Sequence, residues 1–100
     1  MKILTLGLAG EHYAVEIEHV EEIIMDRGVT EVPNLPDFLR GIINIRNRVI
    51  PIVEGRERLG VRNGESVEGR RRIVIVEYQD QCIGIRVDTA DEVIEVDEER

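Results

Sequence analysis

Residues 41–60 read GIINIRNRVIPIVEGRERLG, and the reading of this stretch decides the fold. Two short apolar runs, residues 42–45 and 49–53, flank a polar turn, Arg46-Asn47-Arg48. β-Branched residues dominate both runs, so they are predicted as strands rather than a helix. Asn47 tolerates the positive φ that a tight hairpin turn requires. Pro51 has no N–H to give to a ladder, so its strand is expected at an edge or with a break there. Arg46 stands where a strand meets the turn, and its guanidinium must find a carboxylate or stay in water.

Outward from this hairpin the same period-two language continues. Residues 2–8 read as a strand and residues 9–12 as a turn. Tyr13, Val15 and Ile17 alternate with Glu16 and Glu18, the mark of a half-buried strand. Residues 19–22 suit one helical turn, and residues 23–29 are extended up to Gly28. Pro33 and Pro36 bound a loop, and residues 37–40 suit a short helical turn. After the hairpin, residues 54–59 suit a short helix stopped by Gly60, and residues 61–69 a polar, mobile loop. Residues 72–78 and 82–87 form a second hairpin around residues 79–81, and residues 90–96 form a last strand. Many short strands with frequent turn signals predict an all-β, barrel-like fold.

An internal repeat appears when the chain is shifted by seventy residues. Ile3-Leu4-Thr5-Leu6 then faces Ile73-Val74-Ile75-Val76, and residues 13–18 face 83–88. Glu21-Glu22-Ile23-Ile24 faces Asp91-Glu92-Val93-Ile94. The first copy (about residues 2–69) continues into the hairpin; the second (about 72–96) has no equivalent of it. If each copy builds one barrel, the second leaves open strand edges. That predicts a homodimer or larger assembly, with the hairpin a candidate for strand exchange. The alternative is that the two copies complete one another in one compact barrel.

Composition narrows the function classes. One hundred residues fit one domain burying roughly two-thirds of its unfolded surface. With one Phe, two Tyr and no Trp, the core must be aliphatic. A net charge of −8 disfavours nucleic acid as a partner. A single cysteine excludes an internal disulfide and fits a reducing cytoplasm. No stretch approaches the roughly 18 apolar residues of a membrane span, and no signal peptide is expected.

Residue by residue, chemistry is sparse. Glu16, Glu18, Glu21, Glu22 and Asp26 lack the closely spaced carboxylates and glycine turn of a calcium loop, so a solvated acidic face is expected. His12 and His19 have no zinc-ligand spacing. Cys82 reads as a small apolar filler rather than a nucleophile. Arg70, Arg71 and Arg72, with Arg56, Arg58 and Arg62, form a basic patch for an acidic partner or plain surface charge. Residues 60–66 lack the lysine and spacing of a phosphate loop. No metal, cofactor or catalytic residue is expected.

Residues 41–46 and 49–53, the lead-in Val32-Pro33-Asn34-Leu35-Pro36-Asp37-Phe38-Leu39-Arg40 and the element Val20-Glu21-Glu22-Ile23 resemble the CheW-like domains, adaptor modules of bacterial chemotaxis. The family's pattern is close to G-V-I-N-L-R-G-x-V-I-P-V-I-D-L-R. Here Asn47 replaces the usual Gly, and Glu54-Gly55 replaces Asp-Leu, which removes an apolar anchor. The resemblance implies two linked SH3-like five-stranded barrels, the second incomplete in this chain. It also implies a non-catalytic, cytoplasmic adaptor that couples a chemoreceptor cytoplasmic tip to the regulatory domain of a CheA-type histidine kinase. It puts Val20, Glu22, Gly41, Asn44 and Arg46 at or near a partner site, with Glu22 and Arg46 paired. Two other readings stand beside it: a self-associating, strand-exchanged relative without kinase coupling, and an RNA-binding small barrel.

Overall fold

Three two-residue turns organise the chain. Ala9-Gly10, Arg46-Asn47 and Gln79-Asp80 all hold positive φ, at 51° and 83°, 51° and 64°, and 53° and 66°. Two successive residues at positive φ make a type I′ turn, whose twist matches that of the flanking strands. The turns are therefore tighter than the sequence alone indicates, and Glu11, Arg48 and Gln81 already belong to strands. The computed structural model describes residues 1–36, 39–55 and 71–97. The expected helix at 54–59 and loop at 61–69 lie outside the described residues beyond Gly55.

The described strands are β1 (Lys2–Leu8), β2 (Glu11–Glu16), β3 (Val20–Met25), β4 (Leu39–Ile45), β5 (Arg48–Glu54), β6 (Arg72–Tyr78), β7 (Gln81–Val87) and β8 (Thr89–Glu95). The fold is all-β, as expected. A 3₁₀ turn, Ile17–His19, joins β2 to β3. It begins two residues before the turn read at 19–22, and Val20 opens a strand. Leu39 and Arg40 start β4 rather than a helical turn.

The strands form a three-stranded sheet, β2-β1-β8, and a five-stranded sheet, β3-β6-β7-β5-β4. All pairings are antiparallel except β5 with β7, which pair in parallel through Ile52↔Gly84, Val53↔Ile85 and Glu54↔Arg86. Pro51 lies one residue before that ladder begins, so its missing N–H falls where β5 has β4 as its neighbour but not yet β7.

The seventy-residue repeat is a repeat of register. Ile3↔Glu16 and Leu8↔Glu11 in the first hairpin match Ile73↔Arg86 and Tyr78↔Gln81 in the third. Val93↔Leu4 and Ile94↔Ile3 match Ile23↔Val74 and Ile24↔Ile73. Both of these ladders are interrupted by a bulge at the matching place. The copies and the sheets nevertheless do not coincide. The third strand of each copy pairs with the first strand of the other, so the copies interlock instead of building separate units. The hairpin β4–β5 is seated on β7 of its own chain.

Side-chain alternation on β6 shows how the core is divided. Ile73 and Ile75 join Ile50 and Ile52 inside the five-stranded sheet, with Ile24, Ile43 and Ile45 around them. Val74, on the other face, joins Leu4, Leu6, Leu8 and Val87 between the sheets. A strand buried on both faces reads as the continuous run Ile73-Val74-Ile75-Val76. Each such side chain contributes about 1.5–3 kcal/mol on burial.

An ion network crosses the junction between the sheets. Glu54, only 4% exposed, accepts from Arg71 Nη1 at 3.4 Å and Arg86 Nη1 at 3.5 Å. Arg86 also meets Asp26 at 2.9 Å, and Arg71 Nε lies 3.6 Å from Asp88. Asp88, at the corner between β7 and β8, accepts the Ala9 N–H at 2.7 Å. Glu54 thus anchors this junction through ion pairs. Arg71, read from sequence as part of a surface patch, is turned inward by these carboxylates.

Candidate functional site

The five-stranded sheet curls until its edge strands, β3 and β4, approach each other. Thr30 and Ile42 bridge the gap through paired N–H···O bonds of 2.9 Å. Beyond that bridge the edges are joined by side chains. Alternation along β3 leaves Glu22, with Val20 and Ile24, less exposed than Glu21, Ile23 and Met25. The positive φ of Arg46 bends the backbone at the hairpin tip. Its guanidinium donates to both Glu22 oxygens, Nη1 at 2.7 Å and Nη2 at 2.9 Å. This fork fixes direction as well as charge. Hydrogen bonding to Glu22 raises the pKa of Arg46 above its ordinary value.

A second contact sits beside the first. Arg48 Nη2 donates to Glu21 at 2.6 Å, the Cys82 thiol donates to Glu21 at 3.1 Å, and Arg48 Nη1 approaches the sulfur at 3.4 Å. The thiol hydrogen bond, then Arg48, lowers the Glu21 pKa. The same hydrogen bond, then burial, raises that of Cys82. Cys82 is therefore a half-buried polar partner of the hairpin rather than a plain apolar filler.

Behind the Glu22–Arg46 clamp lies a cleft of about 420 Å³, with Ile24, Ile42, Ile43 and Ile45 on its walls and Arg27, Asn44, Glu22 and Arg46 among its polar groups. Three residues expected at a partner site, Glu22, Asn44 and Arg46, thus line one cleft. Gly41 is buried next to it with φ +150°, and a Cβ there would overlap the Thr30 carbonyl oxygen. Val20 lies away from the cleft and packs into the core between the sheets. Sequence reasoning missed Arg27, Thr30 and the Glu21–Arg48 pair. The last had a visible signal, two adjacent acids matched by arginines two residues apart.

The expected acidic face is largely dispersed, since Glu21, Glu22 and Asp26 each hold an arginine. Glu16, Glu18 and His19 bring ligand atoms within 4.8 Å of one another, and both glutamates are exposed. His12 lies 3.8 Å from Asp91. Among the described residues no helix is long and apolar enough to cross a membrane.

Fold and site together define an all-β domain of two sheets, built from interlocked sequence copies, with an ion-paired cleft between the edges of the larger sheet. The CheW-like domain model matches residues 2–100, and the chain belongs to that family. It is 33% identical over 97% of its length to the chemotaxis protein CheW of Bacillus subtilis and 31% identical over 98% to that of Klebsiella aerogenes. It spans 62% and 57% of those two proteins. The scaffolding protein TtCheW of Thermoanaerobacter tengcongensis superposes with a TM-score of 0.88 at 39% identity, over 97% of this chain and 62% of that one.

Proposed function

We propose that this domain is a non-catalytic adaptor of chemotaxis-type signalling, working in the cytoplasm to couple a chemoreceptor tip to a CheA-type kinase regulatory domain. Its family and the names of its relatives support the setting. The observation that carries the reading is the cleft between β3 and β4. It offers isoleucine walls to an apolar ridge and a bidentate ion pair at its rim, the mix of apolar centre and oriented polar edge that protein interfaces use.

The test is calorimetric titration of a receptor-tip fragment and, separately, of the kinase regulatory domain. Arg46→Ala should weaken receptor binding about tenfold or more, roughly 1.4 kcal/mol. The pair is exposed at Arg46 and screened by solvent, so stability should hardly change. Unaltered receptor affinity in this variant would remove Arg46 from the site.

Self-association is a second reading, raised by the outer edges of β2 and β8, which pair with no further strand among the described residues. Exchange of the hairpin itself gains little, because it would only replace the contacts with β7 by the same contacts from a second copy. Light scattering showing a single protomer at working concentration would end this reading.

A further inference from the structure

Two ties hold the edges of the five-stranded sheet together, and the chain between them is unequal on the two sides. One tie is the Glu22–Arg46 fork and the other is the Thr30–Ile42 bridge. On the β4 side the chain runs only from residue 42 to residue 46. On the β3 side it runs from residue 22 to residue 30. A strand rises about 3.3 Å per residue, so the surplus backbone after β3 cannot follow β4 and must bow away from it. Residues of both arms line the cleft, and apart from Ile73 every lining residue falls between 22 and 46. Asp26 fixes the bowed segment. Its N–H donates to the Arg71 carbonyl at 3.1 Å, its carboxylate accepts the Gly28 N–H at 2.9 Å, and Arg86 meets it at 2.9 Å. Gly28 then turns the chain at φ 99°. Asp26 is half-buried by these contacts, whereas the next residue, Arg27, stands exposed at the cleft.

Charge pairing sets Arg27 apart. Arg40, Arg46, Arg48, Arg71 and Arg86 each lie within 3.8 Å of a carboxylate. Arg27 has no such partner among the described residues, in a chain whose net charge is −8. The other two charges at the cleft, Glu22 and Arg46, satisfy one another, so the cleft keeps one uncompensated positive charge. On the β4 side Asn44 is exposed, and its carboxamide makes no hydrogen bond among the described residues. Between these polar groups the walls are isoleucine.

We infer that Arg27 selects the partner of this cleft by charge. It receives an aspartate or glutamate of the docking segment, while aliphatic side chains next to that acid lie on the isoleucine walls. A guanidinium offers a carboxylate two parallel hydrogen bonds in one plane. Beside apolar walls the pair is screened less than in open water. A segment with lysine or arginine at that place is repelled by the same charge. The inference rests on the reading of the cleft as a docking site and adds to it the sign of the charge that the partner must bring.

Calorimetric titration of the receptor-tip fragment into the parent chain and its Arg27→Ala, Arg27→Glu and Arg46→Ala variants tests it. Arg27→Ala should weaken binding about three- to tenfold and Arg27→Glu about tenfold or more. Added salt should weaken binding of the parent more steeply than that of Arg27→Ala. Arg27 is exposed, so the urea midpoints of its variants should not move. The acids of the fragment are then changed to lysine one at a time. One of these changes should weaken binding to the parent and restore binding to Arg27→Glu. Full affinity in Arg27→Glu, with Arg46→Ala weakened, would overturn the role of Arg27 and leave the docking reading in place. Loss in Arg27→Glu that no lysine change restores would overturn it as well. Full affinity in both variants, or no binding of the parent at about 1 mM, would overturn the docking reading and this inference together.

Discussion

Arg46 and Arg48 flank one turn residue but meet different acids, Glu22 and Glu21, on the neighbouring edge strand. Adjacent residues on a strand point to opposite faces, which is why the two ion pairs serve different surroundings. The first rims the cleft, and the second engages the Cys82 thiol. Because the Glu21 carboxylate holds the thiol in its protonated form, Glu21→Gln should lower the Cys82 pKa. Alkylation by iodoacetamide near pH 8 should then quicken about three- to tenfold, and an unchanged rate would show that burial alone protects the thiol. The sign of the pH effect is set by the lowered Glu21 pKa. The stabilisation is fully present above the ordinary carboxylate value and is lost as pH falls through the lowered one. Urea titrations of the parent and Glu21→Gln proteins should therefore differ near neutrality and converge in strong acid.

Among the elements, the hairpin β4–β5 and its neighbour β3 depend on a close backbone approach. Gly41 lets the segment around Thr30 lie against β4, so that Thr30 and Ile42 exchange hydrogen bonds and one end of the cleft is closed. Gly41→Ala would push a methyl group into backbone rather than into a movable side chain, and at a φ that L residues avoid. It should destabilise the domain by about 1–3 kcal/mol, read from the urea midpoint. The amides of Thr30 and Ile42 should exchange faster in this variant, and unchanged stability would mean the segment can move aside without loss. Two hairpins, and the strands and turn that make up the third, were legible in sequence because period-two alternation and turn residues are local signals. The two-residue length of each turn was less legible, since Ala9, Arg46 and Gln79 are ordinary residues that reach positive φ only because the paired strands hold them there. The helical turn read at 19–22 was misplaced for the same reason, as pairing of Val20 with Val76 draws it into a strand; of the turn read at 37–40, residues 37 and 38 lie outside the described residues, and pairing of Leu39 with Val53 puts Leu39 and Arg40 in a strand.

At the scale of the molecule, the ion network of Glu54, Arg71, Arg86, Asp88 and Asp26 joins β5, β7 and the corner before β8 into one junction. Removing its central carboxylate by Glu54→Ala strands two largely buried guanidinium groups. The expected loss is about 3–5 kcal/mol, measured by urea denaturation; a loss below about 1 kcal/mol would show that Asp26 and Asp88 suffice. Strand periodicity and turn residues were enough for the sequence by itself to indicate an all-β fold and its hairpins, composition to indicate an aliphatic core, and the motif at residues 41–53 to indicate the family. They are carried by neighbours in the chain, so no distant contact is needed to read them. Tertiary structure alone decided that the copies interlock, because an edge strand's partner is chosen by burial of its apolar face and not by its own sequence. It decided too that Val20 belongs to the core while Glu22, Asn44 and Arg46 share a cleft, and that Arg71 turns inward. Each of these depends on which carboxylate or apolar face the folded sheets bring within a few ångströms, and that distance is set by residues far away along the chain.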